Sequence, residues 1–225
     1  MADQTLTNER AAPIPGIDAA ATPLLSIGLG LTGLALGFRP RLAPLPLVLT
    51  ALAAALYRDP HRVTPDEPRT IFAPADGSII AIEELYEHRF VHSDCLRIAT
   101  LISPLNVPVN RSPAAGEVRY HATVSGEHRP VTNPEAAEHN ERIYIGIETA
   151  WGPVLLVQIA GPLARRIVCK VQVGDALQAG ERIGTLRFGA RLDLIVQRDA
   201  LRAMVGIGDR VAAGLSRLGQ VLPTV

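Results

Sequence analysis

Gly184-Thr185-Leu186-Arg187-Phe188-Gly189-Ala190-Arg191-Leu192-Asp193 is the stretch on which the reading of the whole chain turns. Two apolar-alternating runs meet there at a glycine followed by a small residue, as two extended segments joined at a tight break. Just upstream lie Gln158-Ile159-Ala160-Gly161-Pro162-Leu163-Ala164-Arg165-Arg166-Ile167-Val168-Cys169 and then Gly174-Asp175. Working outward, residues 78–83, 96–102, 116–124, 142–148, 153–159 and 166–173 alternate in the same way and read as strands. Gly, Pro and Asp punctuate them, and no long helical period intervenes. The fold class that follows is mainly β (α+β), a compact sandwich or barrel-like domain from about residue 70 onward.

A weak internal repeat supports this. Val173-Gly174-Asp175-Ala176-Leu177-Gln178-Ala179-Gly180 returns as Ile207-Gly208-Asp209-Arg210-Val211-Ala212-Ala213-Gly214. Each Gly-Asp is a turn signal, and each later Gly permits a second turn. The grammar resembles that of biotinyl and lipoyl carrier domains, which present a lysine at a hairpin tip. Lys170 is the only lysine and reads as part of an apolar strand, so a carrier role is rejected while the strand grammar is kept.

The N-terminal part differs in kind. Residues 1–18 are polar with Pro13, Pro15 and Gly16, a flexible lead without the basic start or cleavage site of a removed signal peptide. Residues 19–38 then run for 20 positions without a charge, Arg39-Pro40-Arg41 interrupts, and residues 42–57 add 16 more uncharged positions. A spanning helix needs about 20 apolar residues. No polar face is left for water, and the Leu/Ala/Gly composition suits lipid or close helix packing. The domain plan is a lead at 1–18, a membrane-seated helical hairpin at 19–57, and a β domain at 58–225. Arg39 and Arg41 at the tip, with Arg58 and Arg62 after the hairpin, are too balanced for the positive-inside rule to set an orientation.

Composition narrows the chemistry. Lys and Arg together number 22 and so do Asp and Glu, so no global field favours nucleic acid. Cys95 and Cys169 are too few and too widely spaced for a disulfide framework or zinc site, and Cys169 in its apolar run reads as buried and inert. The six histidines have no metal-ligand spacing, so no metal is expected.

Four stretches, in order, resemble the short form of the phosphatidylserine decarboxylase family. They are Tyr57-Arg58-Asp59-Pro60 with Ala73-Pro74-Ala75-Asp76-Gly77; Ser103-Pro104-Leu105-Asn106-Val107 through Val109-Asn110-Arg111-Ser112-Pro113; Glu138-His139-Asn140-Glu141-Arg142; and the block from Gln158 through Asp193. The resemblance implies a self-cutting proenzyme in which the residue at 190 is Ser. Its hydroxyl attacks the Gly189 carbonyl, and the resulting N-terminal pyruvoyl group acts as the electron sink for decarboxylating phosphatidylserine to phosphatidylethanolamine. It also implies proton transfer by Asp76 and substrate binding by Asn110, Arg111 and Arg191, the two arginines through bidentate contacts to the lipid phosphate. Read without the resemblance, Asp76 is a turn residue bonding its own backbone, and Arg165 and Arg166 a strand-edge pair. Arg142 reads as a surface partner for Glu138. The implied setting is the inner cell membrane with the β domain toward the cytoplasm, with association of identical chains left open.

Two positions depart from the family. Ala190 has no oxygen, so neither the acyl shift nor the pyruvoyl group can arise from it. Pro108 stands in Asn106-Val107-Pro108-Val109-Asn110 where the family usually has His, and it carries no acid or base. Two losses at separate positions favour a natural non-catalytic relative over a substitution made to trap the precursor. This sequence is therefore expected not to process itself. The alternative class is a membrane-associated pseudoenzyme that binds aminophospholipid headgroups or an active paralogue.

Overall fold

The structure, a computed structural model, describes residues 16–133, 135–162, 167–186 and 189–222. The readings placed on residues 1–15 and on Arg165 and Arg166 lie outside these. The chain divides into two compact units, Met1–His61 and Arg62–Val225.

In the first unit, α1 (Thr22–Phe38) and α2 (Pro44–Leu56) form a hairpin. Each has a proline in its first turn, where the missing N–H costs nothing. Thr32 and Thr50 donate their hydroxyls to the carbonyls of Gly28 and Pro46, at 2.8 and 2.6 Å, which hides both polar groups against their own helices. Gly28 is required where the helices meet, because a Cβ there would overlap the Thr50 hydroxyl. Two backbone bonds close the base, Asp18 N to Tyr57 O at 2.8 Å and Asp59 N to Gly16 O at 2.7 Å. Leu24, Leu29, Leu36, Leu45 and Leu49 remain exposed, and Phe38 is 82 % exposed. Among the described residues, Ala19–Phe38 is the one helical run long and apolar enough to cross a membrane.

The second unit is built of strands β1 (Thr70–Phe72), β2 (Gly77–Glu87), β3 (Ser93–Ile102), β4 (Val109–Arg111), β5 (Gly116–Val124), β6 (Arg142–Thr149), β7 (Gly152–Ile159), β8 (Val168–Cys169), β9 (Ala176–Leu177), β10 (Arg182–Thr185), β11 (Ala190–Gln197), β12 (Leu201–Ala203), β13 (Arg210–Val211) and β14 (Arg217–Val221). A single helical turn, α3 (Ala136–His139), interrupts them. An antiparallel sheet of eight strands curls in the order β13-β2-β3-β11-β7-β6-β5-β9. Two three-stranded sheets, β1-β14-β12 and β4-β10-β8, complete the fold. The mainly β class with its apolar hairpin is what the sequence patterning requires.

Alternation in β11 explains the layering. Leu192, Leu194 and Val196 join Ile98, Leu156, Ile183 and Leu218 in the main core, whereas Ile195 joins Cys95, Leu155 and Val157 in a second cluster. Both faces of the central strands are thus covered. β5 has the bounds the alternation gives it. By contrast, the strand expected over 166–173 shrinks to Val168–Cys169, because residues 170–173 turn toward Gly174. Lys170 is not inside an apolar strand; it follows β8 and is exposed, with its N–H donated to Ile183 O at 2.9 Å. It lies at neither Gly-Asp turn. Cys169 is half-buried rather than fully buried, and burial pushes its thiol pKa up.

The repeat is real at the level of individual hydrogen bonds. Ile79 N binds Asp209 O at 2.9 Å as Val118 N binds Asp175 O at 2.9 Å, and Gly208 N binds Ile79 O as Gly174 N binds Val118 O, both at 2.8 Å. Gly214 N meets Ala73 O just as Gly180 N meets Ser112 O, again at 2.8 Å. The four turn glycines, Gly174, Gly180, Gly208 and Gly214, all have positive φ. β13 pairs Val211 with Gly77 as β9 pairs Leu177 with Gly116. By these matches Pro74-Ala75-Asp76-Gly77 corresponds to Pro113-Ala114-Ala115-Gly116.

Candidate functional site

The site is built around the start of β11. Gly189 has φ +74, a left-handed conformation that favours glycine, and it turns the chain into the strand. Its carbonyl packs against Gly161, where any Cβ would overlap the Gly189 oxygen. Ala190 is wholly buried and pairs with Ile102. It belongs to the main core with Leu192 and Leu194, so its methyl faces inward.

Gln158 pairs with Leu192 and so projects from the same inner face as Ala190. It donates Nε2–H to Asn110 Oδ1 at 2.9 Å. Both side chains are fully buried, yet among the described residues Asn110 Nδ2 and Gln158 Oε1 have no hydrogen-bond partner. Such orphans are uncommon in a core and mark a place suited to a further polar group.

Arg191 projects from the opposite face of β11. Its Nε and Nη2 bind the two carboxylate oxygens of Asp193 at 2.6 and 2.8 Å. The pair is buried. Burial pushes the Asp193 carboxyl up, while Arg191 and Arg97 oppose that shift. Arg191 and Ala190 are therefore neighbours in sequence that serve different faces of the sheet.

Asp76 sits in the turn before β2, but its carboxylate does not bond that turn's backbone. Its carboxylate accepts from Arg62 Nη1 at 2.5 Å and Nη2 at 2.8 Å, and from Ala213 N at 2.8 Å. Ser78 pairs with Leu101, and Leu101 with Arg191, so the Asp76 turn and the Gly189–Ala190 bond lie at one end of the sheet. Two strand spacings separate them, about 10 Å between backbones. Arg111 is nearer to the Asp76 turn. Its N–H donates to Pro74 O at 2.8 Å and its Nη1 to Gly180 O at 2.9 Å. Pro108 is buried just before β4, and its carbonyl accepts from Leu186 N at 2.8 Å.

Arg62, Gly161 and Gln158 are functional candidates that residue patterns did not single out. Arg62 carries no local signal, since its partners lie 14 and 151 positions away. Gly161 and Gln158 lay within the quoted block, but only the fold shows that one meets the Gly189 carbonyl and the other Asn110. Arg142 donates to the Glu138 backbone carbonyl at 2.6 Å rather than to its carboxylate, and to the Tyr144 hydroxyl at 2.7 Å. Among the described residues no cluster of His, Cys, Asp or Glu could hold a metal.

Comparison with known proteins points one way. The family described as Phosphatidylserine decarboxylase matches residues 49–219. The chain is similar, at 39 % identity over 177 residues, to the phosphatidylserine decarboxylase proenzyme of Desulfotalea psychrophila, covering 78 % of this chain and 82 % of that one. It is 36 % identical over 197 residues to the proenzyme of Syntrophus aciditrophicus, covering 86 % and 92 %. With that of Symbiobacterium thermophilum it shares 40 % over 166 residues, covering 73 % and 77 %.

Proposed function

Because the chain belongs to the phosphatidylserine decarboxylase family, we propose that it is a membrane-seated member that does not cut itself and acts by binding lipid. The family is pyruvoyl-dependent. The residues present do not fit that group, since Ala190 offers a buried methyl where a hydroxyl is needed. This single observation carries the reading. Pro108 adds a second position without an acid or base.

What remains is suited to recognition. Asp76, Asn110 and Arg111 are kept, and the unpartnered atoms of Asn110 and Gln158 lie on the face toward which residue 190 points. Arg191 is held by Asp193 at the far side of the strand. In this reading Arg111 and Asn110 belong to an aminophospholipid headgroup site, and phosphatidylserine is its ligand. The exposed leucines of α1 and α2 support membrane seating; the inner membrane, with the β domain toward the cytoplasm, is the setting that goes with the family resemblance. The domain plan of lead, hairpin and β domain goes with it.

The test has two arms. Vesicles containing phosphatidylserine should retain the purified chain better than vesicles of phosphatidylcholine alone, and Arg111→Ala should narrow the difference. Ala190→Ser should then split after Gly189 into pieces of 189 and 36 residues, alone or with Pro108→His. No headgroup preference would refute lipid recognition at this site. A double variant that stays whole would show that the lesion is not confined to these two positions.

A further inference from the structure

The two copies of the internal repeat differ in what meets the backbone donor of the second turn. In the first copy the Asp76 carboxylate occupies the space between its turn and the Ala212-Ala213 segment, accepting the Ala213 N–H at 2.8 Å. In the second copy Ala115 stands in place of Asp76 and Ala179 in place of Ala213, so the chain supplies no carboxylate. Among the described residues nothing accepts a hydrogen bond from the Ala179 N–H. A cleft of about 700 Å³ opens here, within the range of small-molecule sites, and its wall includes Ala115, Ala179, Trp151, Leu222, Asp66 and Arg69.

The charges on that wall are of both signs. The Asp66 carboxylate and the Arg69 guanidinium make no ion pair or hydrogen bond with a described residue. The adjacent Glu67 is already taken. It pairs with Arg217, which by hydrogen bond and charge holds its carboxyl below the usual range against a smaller opposing effect of burial. An unused backbone donor, one free cation, one free anion and the Trp151 indole therefore line a single cleft.

We propose that this cleft binds a free α-amino acid with an apolar side chain. Its carboxylate takes the Ala179 N–H and Arg69, as the Asp76 carboxylate takes the Ala213 N–H and Arg62 in the other copy. Its ammonium faces Asp66, and its side chain lies on Trp151. The site is separate from residue 190 and independent of how that residue is read.

Trp151 is the only tryptophan, so emission from the full chain in detergent reports on this wall alone. Titration with L-leucine or L-phenylalanine should change the emission saturably. Relative to leucine, 4-methylpentanoate lacks the ammonium and 3-methylbutylamine lacks the carboxylate, and both should bind at least tenfold more weakly. Ala115→Asp, which would fill the place from within, should weaken leucine binding at least tenfold. So should Arg69→Asn, a change compatible with the positive φ of 65° there. Unchanged far-ultraviolet circular dichroism would show that both variants fold. The proposal is overturned if neither amino acid gives a saturable emission change or a heat of binding. Equal binding by the truncated compounds, or undiminished binding in both variants, overturns it too.

Discussion

Asp76 is held by a guanidinium from outside its own turn, and this ties the segment leaving the first unit boundary to the β domain. Arg62 and Asp76 have side chains only 11 and 12 % exposed. Removing one partner leaves a largely buried charge, which costs about 3 kcal/mol. Arg62→Met should therefore lower the melting temperature of the β domain by roughly 6–12 °C. Asp76→Asn keeps an acceptor for the Ala213 N–H but removes the negative charge that faces Arg62, so it should be destabilising as well. A melt unchanged by Arg62→Met would mean that the ion pair is solvated and structurally idle. Local pattern could place Asp76 in a turn, but it could not reveal Arg62, whose pairing exists only once the repeat has closed.

Among the elements, the turn joining β2 to β3 shows how a buried acid organises a loop. Glu87 is pushed up by burial, but the N–H groups of Phe90, Val91 and Arg89 outweigh this, and its carboxyl lies below the usual range. A depressed acid stabilises the fold above its unfolded pKa, and that contribution is lost as pH falls through the folded value. Glu87→Gln should cost about 1–3 kcal/mol at pH 7 and less at pH 3, as measured by urea denaturation at both. An equal cost at both pH values would contradict the assignment. The turn into β11 makes a second case. Gly161→Ala places a Cβ on the Gly189 oxygen and should displace the 189–190 bond, so in an Ala190→Ser background it should slow any cleavage at least tenfold. Cleavage at an undiminished rate would show that the contact does not position the bond.

These elements also mark the limit of what residue order reveals. β5 was legible because one of its faces meets the core and its residues alternate, and β7 because its apolar run is covered on both faces. β9 and β13, two residues each, are set by the Gly-Asp turns just before them and by partners far away in sequence, and β8, equally short, by its pairing with β10. Period alone could not bound them. Within the site, the family-matching stretches brought Asp76, Asn110, Arg111 and Ala190 forward. The sidedness that separates Arg191 from Ala190 needed the register of β11 with β3 and β7.

At the scale of the whole molecule, an apolar hairpin precedes a β domain that carries Ala190 at the position proposed for the family's nucleophile. Deleting residues 1–57 should release the β domain from the need for detergent, whereas the full chain should stay with membranes through a carbonate wash. Recovery of the full chain in the washed supernatant, monodisperse without detergent, would remove the membrane hairpin. The central claim, that the chain persists uncut, rests on residue 190. Intact-mass spectrometry of the denatured, unmodified chain tests it most directly. The account predicts one species at 24.0 kDa with the Gly189–Ala190 bond whole. Two species, one of 189 residues and one of 36 beginning at residue 190, would contradict it.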